Sequence, residues 1–337
     1  MILVTGATGL VGSHLLYRLL SENSSVRAIY QRSSDLNAVK NVFSYYTADY
    51  ESVFERVRWV EAELNDLPAL QQAFEDVSLV YHCAAMVSFL RSDYQSMRRI
   101  NIDGTTNIVN LCISGKVKKL CFVSSVAAIE KNTEGKPSDE NESWNSSLEK
   151  SGYAISKYGG EMEVWRASQE GLPVIIVNPG VILGSGFWHK GSGKMFTRVY
   201  QGLKFYTEGL TGFVDVVDVA EIMMRLMHSR IQNERFILIA ENISYKKLLF
   251  LIADALQRPR PTIRITKWLS GFMWRLESLK SKITLTEPLL TRHTAKSATT
   301  VHPYSNQKIR EVLGYDFRGL GDSVAGIAKD FKKQFEV

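Results

Sequence analysis

The chain has 337 residues, 45% of them hydrophobic and 23% charged, enough to bury one large core or two interleaved ones. No apolar run approaches ~18 residues, which argues against a spanning helix, and three cysteines without C-x-x-C spacing argue against disulfides and a metal site. The net charge of +6 and pI near 9.0 come from basic residues spread without a dense run, so an anionic cofactor or substrate explains them better than nucleic acid.

In chain order, the opening Met1-Ile2-Leu3-Val4 lacks a basic region ahead of its apolar residues, which predicts no signal peptide and a cytoplasmic protein. Ile2 to Val4 has the β-branching of a buried parallel strand. The turn Thr5-Gly6-Ala7-Thr8-Gly9-Leu10-Val11-Gly12 follows, and His14 to Leu20 carries apolar residues at helical spacing. In a strand–turn–helix context, Gly6 makes the tight turn, Gly9 admits a pyrophosphate and Gly12 allows close packing, with the phosphates over the free N–H groups of the helix. The spacing is G-x-x-G-x-x-G, so an ordinary βα turn is the alternative.

Further strands are expected at Val26 to Tyr30, Val57 to Glu61, Leu79 to Cys83, Lys119 to Ser124 and Val174 to Asn178, alternating with helices. That alternation predicts an α/β fold with a doubly wound parallel sheet. The end of the second strand bears on cofactor choice. A carboxylate there binds a ribose 2′-hydroxyl, whereas a basic residue accommodates a 2′-phosphate. Tyr30-Gln31-Arg32-Ser33-Ser34 offers no carboxylate before Asp35, which favours NADP with Arg32 and Ser33 as contacts; NAD is the second choice, with Arg32 a solvated loop residue.

Leu120 to Ser125 ends in two hydroxyls, placed where ligands of open α/β sheets bind. The polar stretch Lys131 to Ser143 reads as an exposed loop beside the site. Tyr153 and Lys157 then fall four residues apart on one helix face. An ammonium beside a phenol lowers its pKa from about 10, a plausible acid/base device. An isolated Tyr-x-x-x-Lys also occurs by chance on solvated helices.

Taken together, the chain resembles an extended short-chain dehydrogenase/reductase, most similar to the branch of 3β-hydroxysteroid dehydrogenases, dihydroflavonol reductases and cinnamoyl-CoA reductases. Besides the glycine turn and the Tyr-Lys pair, the resemblance includes Tyr81-His82-Cys83-Ala84-Ala85, Asn101 to Asn107, Asn178 to Gly184, Gly212 to Ala220 and Lys308 to Tyr315. It implies a Rossmann-type sheet over residues 1–180 and 212–240, and a smaller substrate-binding domain over 181–211 and 241–337. Hydride transfer between nicotinamide C4 and a carbonyl or alcohol carbon is implied, with Tyr153 moving the proton, Lys157 lowering its pKa and holding the ribose, and Ser125 binding the substrate oxygen, Ser124 being the neighbouring alternative. Asn101 supports a water link to Lys157 or serves helix packing. The implied cofactor contacts are Gly6, Thr8, Gly9, Leu10, Val11, Gly12, Glu63, Leu64, Ala84, Ala85, Tyr153, Lys157, Pro179 and Ile182.

Two other readings share these motifs: a nucleotide-sugar epimerase or dehydratase that retains NAD, and a non-catalytic NADP-binding module. Ile176-Val177-Asn178-Pro179-Gly180 departs from the Arg-Tyr-Phe-Asn type of the first, and the full Ser-Tyr-Lys set speaks against the second. Phe187, Trp188, Met195, Phe196, Phe205 and Tyr206 are expected near the cleft and suggest a bulky, largely apolar small-molecule substrate. His189 is the histidine suspected of touching it. Trp268, Leu269, Phe272, Met273, Leu276 and Leu279 share a helical face among basic residues, either a lid or core helix or a peripheral membrane contact. Both monomers and homodimers occur among such relatives.

Overall fold

The computed structural model describes residues 1–22, 24–266 and 298–335; the helix expected around Trp268 to Leu279 lies outside them. The strands are β1 (Ile2–Thr5), β2 (Val26–Tyr30), β3 (Arg58–Glu61), β4 (Leu79–His82), β5 (Lys119–Val123), β6 (Val174–Pro179), β7 (Val181–Leu183), β8 (Phe205–Tyr206), β9 (Leu210–Asp215), β10 (Glu234–Leu238), β11 (Glu241–Ser244) and β12 (Ile263–Arg264). The helices are α1 (Leu10–Ser21), α2 (Leu36–Ser44), α3 (Tyr50–Glu55), α4 (Leu67–Ala73), α5 (Tyr94–Arg98), α6 (Gly104–Ser114), α7 (Gly152–Gln169), α8 (Gly193–Tyr200), α9 (Val216–His228), α10 (Tyr245–Leu256), α11 (Gln307–Leu313) and α12 (Leu320–Phe335).

Seven parallel strands form the main sheet in the order β10-β6-β5-β4-β1-β2-β3. Strand order reverses between β1 and β4, and a crevice outside the carboxyl ends of the strands at such a point is where ligands bind in this architecture. Both faces are covered, which is why the strands read as continuous apolar runs. Successive side chains take opposite faces. Val4, Cys121, Val123, Ile175 and Val177 pack with α1 and α9, whereas Leu3, Leu120, Phe122, Val174 and Ile176 pack with α4, α6 and α7.

Residues 213–240 return to this sheet through β10 alone. Their first strand, β9, instead joins β7 and β11 in a three-stranded sheet, and β8 pairs with β12. A third core gathers Trp188, Phe196, Leu248, Leu249, Val324 and Phe331. Trp188 and Phe196, expected near the cleft, are spent there: Trp188 meets Phe331 edge-on at 5.0 Å and donates its indole N–H to Gln334 at 2.6 Å.

The polar stretch from Lys131 to Ser143 is exposed over Thr133 to Pro137, as expected, but anchored beyond it. Ser138 and Glu140 are buried. Glu140 Oε1 accepts the N–H of Ile237 at 2.7 Å, and Ser138 N donates to the carbonyl of Pro303 at 3.0 Å, so a carboxylate pins the segment to β10 and a backbone bond pins it to the chain near residue 303. No described helix is long and apolar enough to cross a membrane.

Candidate active site

The candidate site lies at the carboxyl ends of β1, β2, β4 and β5. Gly6 turns there with φ +65°, and a Cβ on it would stand 2.5 Å from Ala84 N, so the glycine turn abuts the loop after β4. Gly12 is equally tight, since its Cβ would meet the Gly6 carbonyl at 2.2 Å; the close packing is against the turn itself. Gly9 differs. Its backbone is extended at φ −98°, and a Cβ would meet only Gly6 O, at 3.4 Å. Gly9 also N-caps α1 without any side-chain cap, and the first bond into the helix runs from Ser13 N to Gly9 O. The N–H groups of Leu10, Val11 and Gly12 therefore head an uncapped helix with open space beside it, a cradle that fits a pyrophosphate.

Thr8 Oγ1 donates to Ser34 Oγ at 3.2 Å and Gln31 N donates to the same oxygen at 3.0 Å, tying the glycine turn to the turn after β2. Arg32 and Ser33 sit exposed at its tip. Asp35 is occupied elsewhere, because its Oδ1 caps α2 by accepting the N–H groups of Asn37 at 2.9 Å and Ala38 at 3.3 Å. Ser34 was not singled out in the sequence, and neither was Arg99, which lines one recess with Gln31, Glu63, Leu64, Asn65, Ser96 and Ile100. Arg99 opens one turn of π-helix, Arg99–Asp103, that also carries Asn101.

Ser125 and Tyr153 are both partly accessible. Ala127 N donates to Ser125 Oγ at 3.1 Å, which leaves the hydroxyl proton of Ser125 for another acceptor. Phe89 meets the Tyr153 ring edge-on at 5.7 Å. One turn along α7, Lys157 is buried; its Nζ donates to the carbonyl of Val123 at 2.7 Å and lies 4.5 Å over the Phe122 ring. Burial pushes the Lys157 ammonium down to about 8, against the opposing field of Glu161. Burial also pushes the Tyr153 phenol up, and the neighbouring Ser125 offsets part of that rise. The lowered phenol expected from Tyr-x-x-x-Lys is thus not what this geometry produces, because desolvation dominates while the ammonium is turned to Val123.

Ser124 is a different residue from Ser125 in every respect but type. It is buried, and its Oγ donates to Glu161 Oε2 at 2.7 Å. Asn178 donates one amide proton to that same oxygen at 2.9 Å and the other to the Ser125 carbonyl at 3.1 Å. Arg235 from β10 donates to Glu161 Oε1 at 3.0 Å. Glu161 escaped the sequence reading, although it extends the Tyr153 and Lys157 spacing by a further four residues.

Asn101 is fully engaged. Its Oδ1 accepts Met86 N at 2.7 Å, and its Nδ2 donates to Met86 O and Ser156 Oγ, each at 2.9 Å. It fastens α7 to the loop after β4, the helix-packing role of the two expected. Its carbonyl would lie 2.5 Å from a Cβ on Gly160, which accounts for glycine at that point of α7. His82, buried beneath, is pushed down to about 3 by burial and by the charge of Lys157. Thr105 spends its proton on the Asn101 carbonyl at 2.7 Å, so His82 Nε2–H donates to Thr105 at 3.0 Å and Nδ1 accepts from Thr5 at 2.6 Å. Pro179 ends β6, and Ile182 lies in β7 with its carbonyl accepting from Ser192. His189 is exposed, edge-on to Phe335 at 6.3 Å in the third-core layer. Cys83, Cys112 and Cys121 are free.

A parallel sheet with this strand order and an uncapped glycine turn defines a dinucleotide-binding α/β protein. The chain belongs to the NAD dependent epimerase/dehydratase family, whose model matches residues 2–240, and that family is one of NAD(P)-dependent dehydrogenases, reductases and epimerases. It is 30% identical over 282 residues to a putative dihydroflavonol 4-reductase of Synechocystis, covering 80% of this chain and 77% of the relative. Among solved structures, the protein named gox2253 is 27% identical with a TM-score of 0.82, over 99% of this chain and 98% of the other. The UDP-glucose 4-epimerase of Thermotoga maritima, solved with UDP-glucose, shares the fold at 20% identity and a TM-score of 0.79, over 99% of both chains.

Proposed function

We propose that this chain transfers a hydride between a nicotinamide cofactor and a carbonyl or alcohol carbon, with Ser125, Tyr153 and Lys157 as its proton relay. The observation that carries the reading is that two reachable hydroxyls, Ser125 and Tyr153, lie at the sheet's carboxyl edge, beside an uncapped glycine turn and one helical turn from a buried lysine. When bound, the cofactor supplies or accepts the hydride at nicotinamide C4. Tyr153 gives or takes the proton of the substrate oxygen. Ser125 donates its free proton to that oxygen, a preorganised contact worth about 3 kcal/mol. Lys157 would hold the nicotinamide ribose, the other role that the family resemblance implies for it. Asn101 holds α7 in register.

We assign the pyrophosphate to the turn of Gly6, Thr8, Gly9, Leu10, Val11 and Gly12, the adenine end to Glu63 and Leu64, and the nicotinamide end to Ala84, Ala85, Pro179 and Ile182. Arg32 and Ser33 take a 2′-phosphate, so the cofactor is NADP. Supporting this, Asp35, the first carboxylate after β2, is committed to capping α2. Exposed Val87 and half-exposed Phe89 beside Tyr153 support a bulky, largely apolar substrate, and the similarity to a putative dihydroflavonol 4-reductase supports the reductase branch.

A second reading is an epimerase or dehydratase that retains NAD through its cycle. The family comparison backs it more fully than it backs a dissociable-cofactor reductase. Fluorescence titration with NADPH and NADH, after extraction of any co-purified nucleotide and with Arg32→Ala alongside, separates the two. Exchangeable NADPH binding weakened by Arg32→Ala supports the reductase. Tightly retained NAD, or an NADH preference indifferent to Arg32, puts the epimerase or dehydratase reading first.

A further inference from the structure

We infer that Arg99 reads the adenine edge of the cofactor: its guanidinium donates to a ring nitrogen of the base, while Glu63 in the same recess accepts from the neighbouring amine. This rests on the cofactor reading above, which assigns the adenine end to Glu63 and Leu64 and nothing to the α5 side. The recess, of about 200 Å³, has room for a purine and is walled by three segments. Gln31 comes from the turn after β2. Its N–H donates to Ser34 Oγ at 3.0 Å and its carbonyl accepts Ser34 N at 2.8 Å, so only its side chain remains to line the recess. Glu63 and Leu64 come from the loop after β3, and Arg99 and Ile100 from the π turn after α5.

The second and third walls are fastened to each other. Asn65 Nδ2 donates to the Arg99 carbonyl at 3.3 Å, and Asn107 Nδ2 from α6 donates to the Leu64 carbonyl at 2.9 Å. A Cβ on Gly104, at the head of α6, would stand 2.8 Å from Leu64 Cβ, so the glycine lets the helix close on the loop. Glu63 and Arg99 therefore line one recess from a fixed frame without closing on each other. Among the described residues neither side chain makes an ion pair or a hydrogen bond.

That arrangement selects a neutral base over a phosphate. The recess holds one acidic and one basic side chain, so its formal charge is zero, and a phosphate placed there would lie beside a carboxyl group. A planar heterocycle with a donor next to an acceptor on its edge matches both groups. Adenine is such a base, since its N6 amine donates while N1 and N7, on either side, accept. Leu64 and Ile100 give its faces apolar surface, and the planar fork of an arginine suits an in-plane contact to the ring edge. Arg32 and Arg99 then divide the adenosine end, with Arg32 for the 2′-phosphate and Arg99 for the base, so Arg99 is indifferent to the choice between NADP and NAD.

The test is calorimetric titration of the full chain with three nucleotides: 5′-AMP, 5′-IMP, which carries a carbonyl at position 6 and a proton on N1, and tubercidin 5′-monophosphate, in which carbon replaces N7. Wild type should bind 5′-AMP at least about tenfold tighter than 5′-IMP, whose carbonyl meets Glu63. Glu63→Gln, whose amide both donates and accepts, should bring that ratio close to one. Arg99→Met should weaken 5′-AMP about five- to tenfold and narrow its advantage over one of the two analogues, which identifies the nitrogen contacted. NADPH and NADH should weaken in Arg99→Met by the same factor, whereas Arg32→Ala weakens NADPH alone. Arg99 is exposed, and its variant should melt as wild type does. Equal binding of 5′-AMP and 5′-IMP by wild type overturns the inference. So does an Arg99→Met that weakens all three nucleotides equally, the mark of a general pull on phosphate, or one whose loss is confined to NADPH. A wild type that binds neither NADPH nor NADH overturns the cofactor reading itself, a result distinct from any of these.

Discussion

Replacing Gly9 by alanine should weaken cofactor binding at least about tenfold while leaving the fold intact, whereas alanine at Gly6 should first of all destabilise the fold. At Gly9 the backbone is extended, open to any residue, and the added methyl meets a single atom at 3.4 Å. Alanine gains about 0.4–1 kcal/mol by restricting the unfolded chain and loses a similar amount as a poorer N-cap, so the melting temperature should stay within about 2 °C. The same methyl stands at the head of an uncapped helix where a pyrophosphate must approach the backbone. Displacing it even slightly should cost at least about 1.4 kcal/mol, a tenfold rise in Kd. At Gly6, alanine must adopt a left-handed conformation at about 1–2 kcal/mol and place its Cβ 2.5 Å from Ala84 N. With the displacement of the β4 loop that follows, the total is about 2–4 kcal/mol, seen as a melting point lowered by about 4–8 °C. Thermal melts paired with fluorescence titrations using NADPH and NADH measure both quantities. If Gly9→Ala binds both nucleotides as tightly as wild type, the turn is not the phosphate cradle.

Ser124→Ala should destabilise by about 1.5–3 kcal/mol, since it strips a hydrogen bond from a buried charge, with kcat largely kept; Ser125→Ala should lower kcat about 100-fold with an unchanged melt. Finding the two phenotypes exchanged in turnover assays would move the catalytic hydroxyl to Ser124. Lys157→Met should raise the melting point at pH 7. The sign follows from the lysine's lowered pKa: between about 8 in the folded chain and 10.5 unfolded, the unfolded state binds more protons, so wild-type stability rises with pH through that window. The variant's advantage should therefore shrink from pH 8 to 10.5, and a gap independent of pH would contradict the buried charge. Asp35→Ala should cost about 1 kcal/mol of stability as a lost cap without changing the NADPH to NADH affinity ratio. A ratio that moves several-fold would show that Asp35 reads the ribose.

The sheet was legible because each strand is a short β-branched run buried on both faces and each crossover a helical period, so sequence spacing alone orders them. The same regularity gave Gly9, Ser125, Tyr153 and Lys157, which sit at strand ends and one helical turn apart. Contacts that close over long sequence separations were not legible. Arg235 meets Glu161 across 74 residues and Ser138 meets His302 across 164. In the sequence Glu161 is one more polar residue on a helix, and Lys131 to Ser143 is a hydrophilic loop. Only the pairing of β6 with β10 brings Arg235 over the helix, and only the chain near residue 303 covers Ser138. Apolar aromatic residues misled for a related reason: composition shows that Trp188 and Phe196 are buried somewhere, but not that α12 supplies the surface that buries them.

The division of labour between adjacent serines follows from strand geometry. Successive side chains leave β5 on opposite sides, so where the chain passes out of the sheet one hydroxyl must turn inward and the next outward. The inward one, Ser124, has no water to bond and needs a buried acceptor, which Glu161 provides. A buried carboxylate in turn needs a cation, and Arg235 provides it. The outward hydroxyl, Ser125, stays out of that network and is half-accessible at the sheet's carboxyl edge. A requirement of hydrogen-bond satisfaction at a strand end thereby separates two adjacent hydroxyls, and the stability defect predicted at Ser124 and the turnover defect predicted at Ser125 are the two sides of that separation.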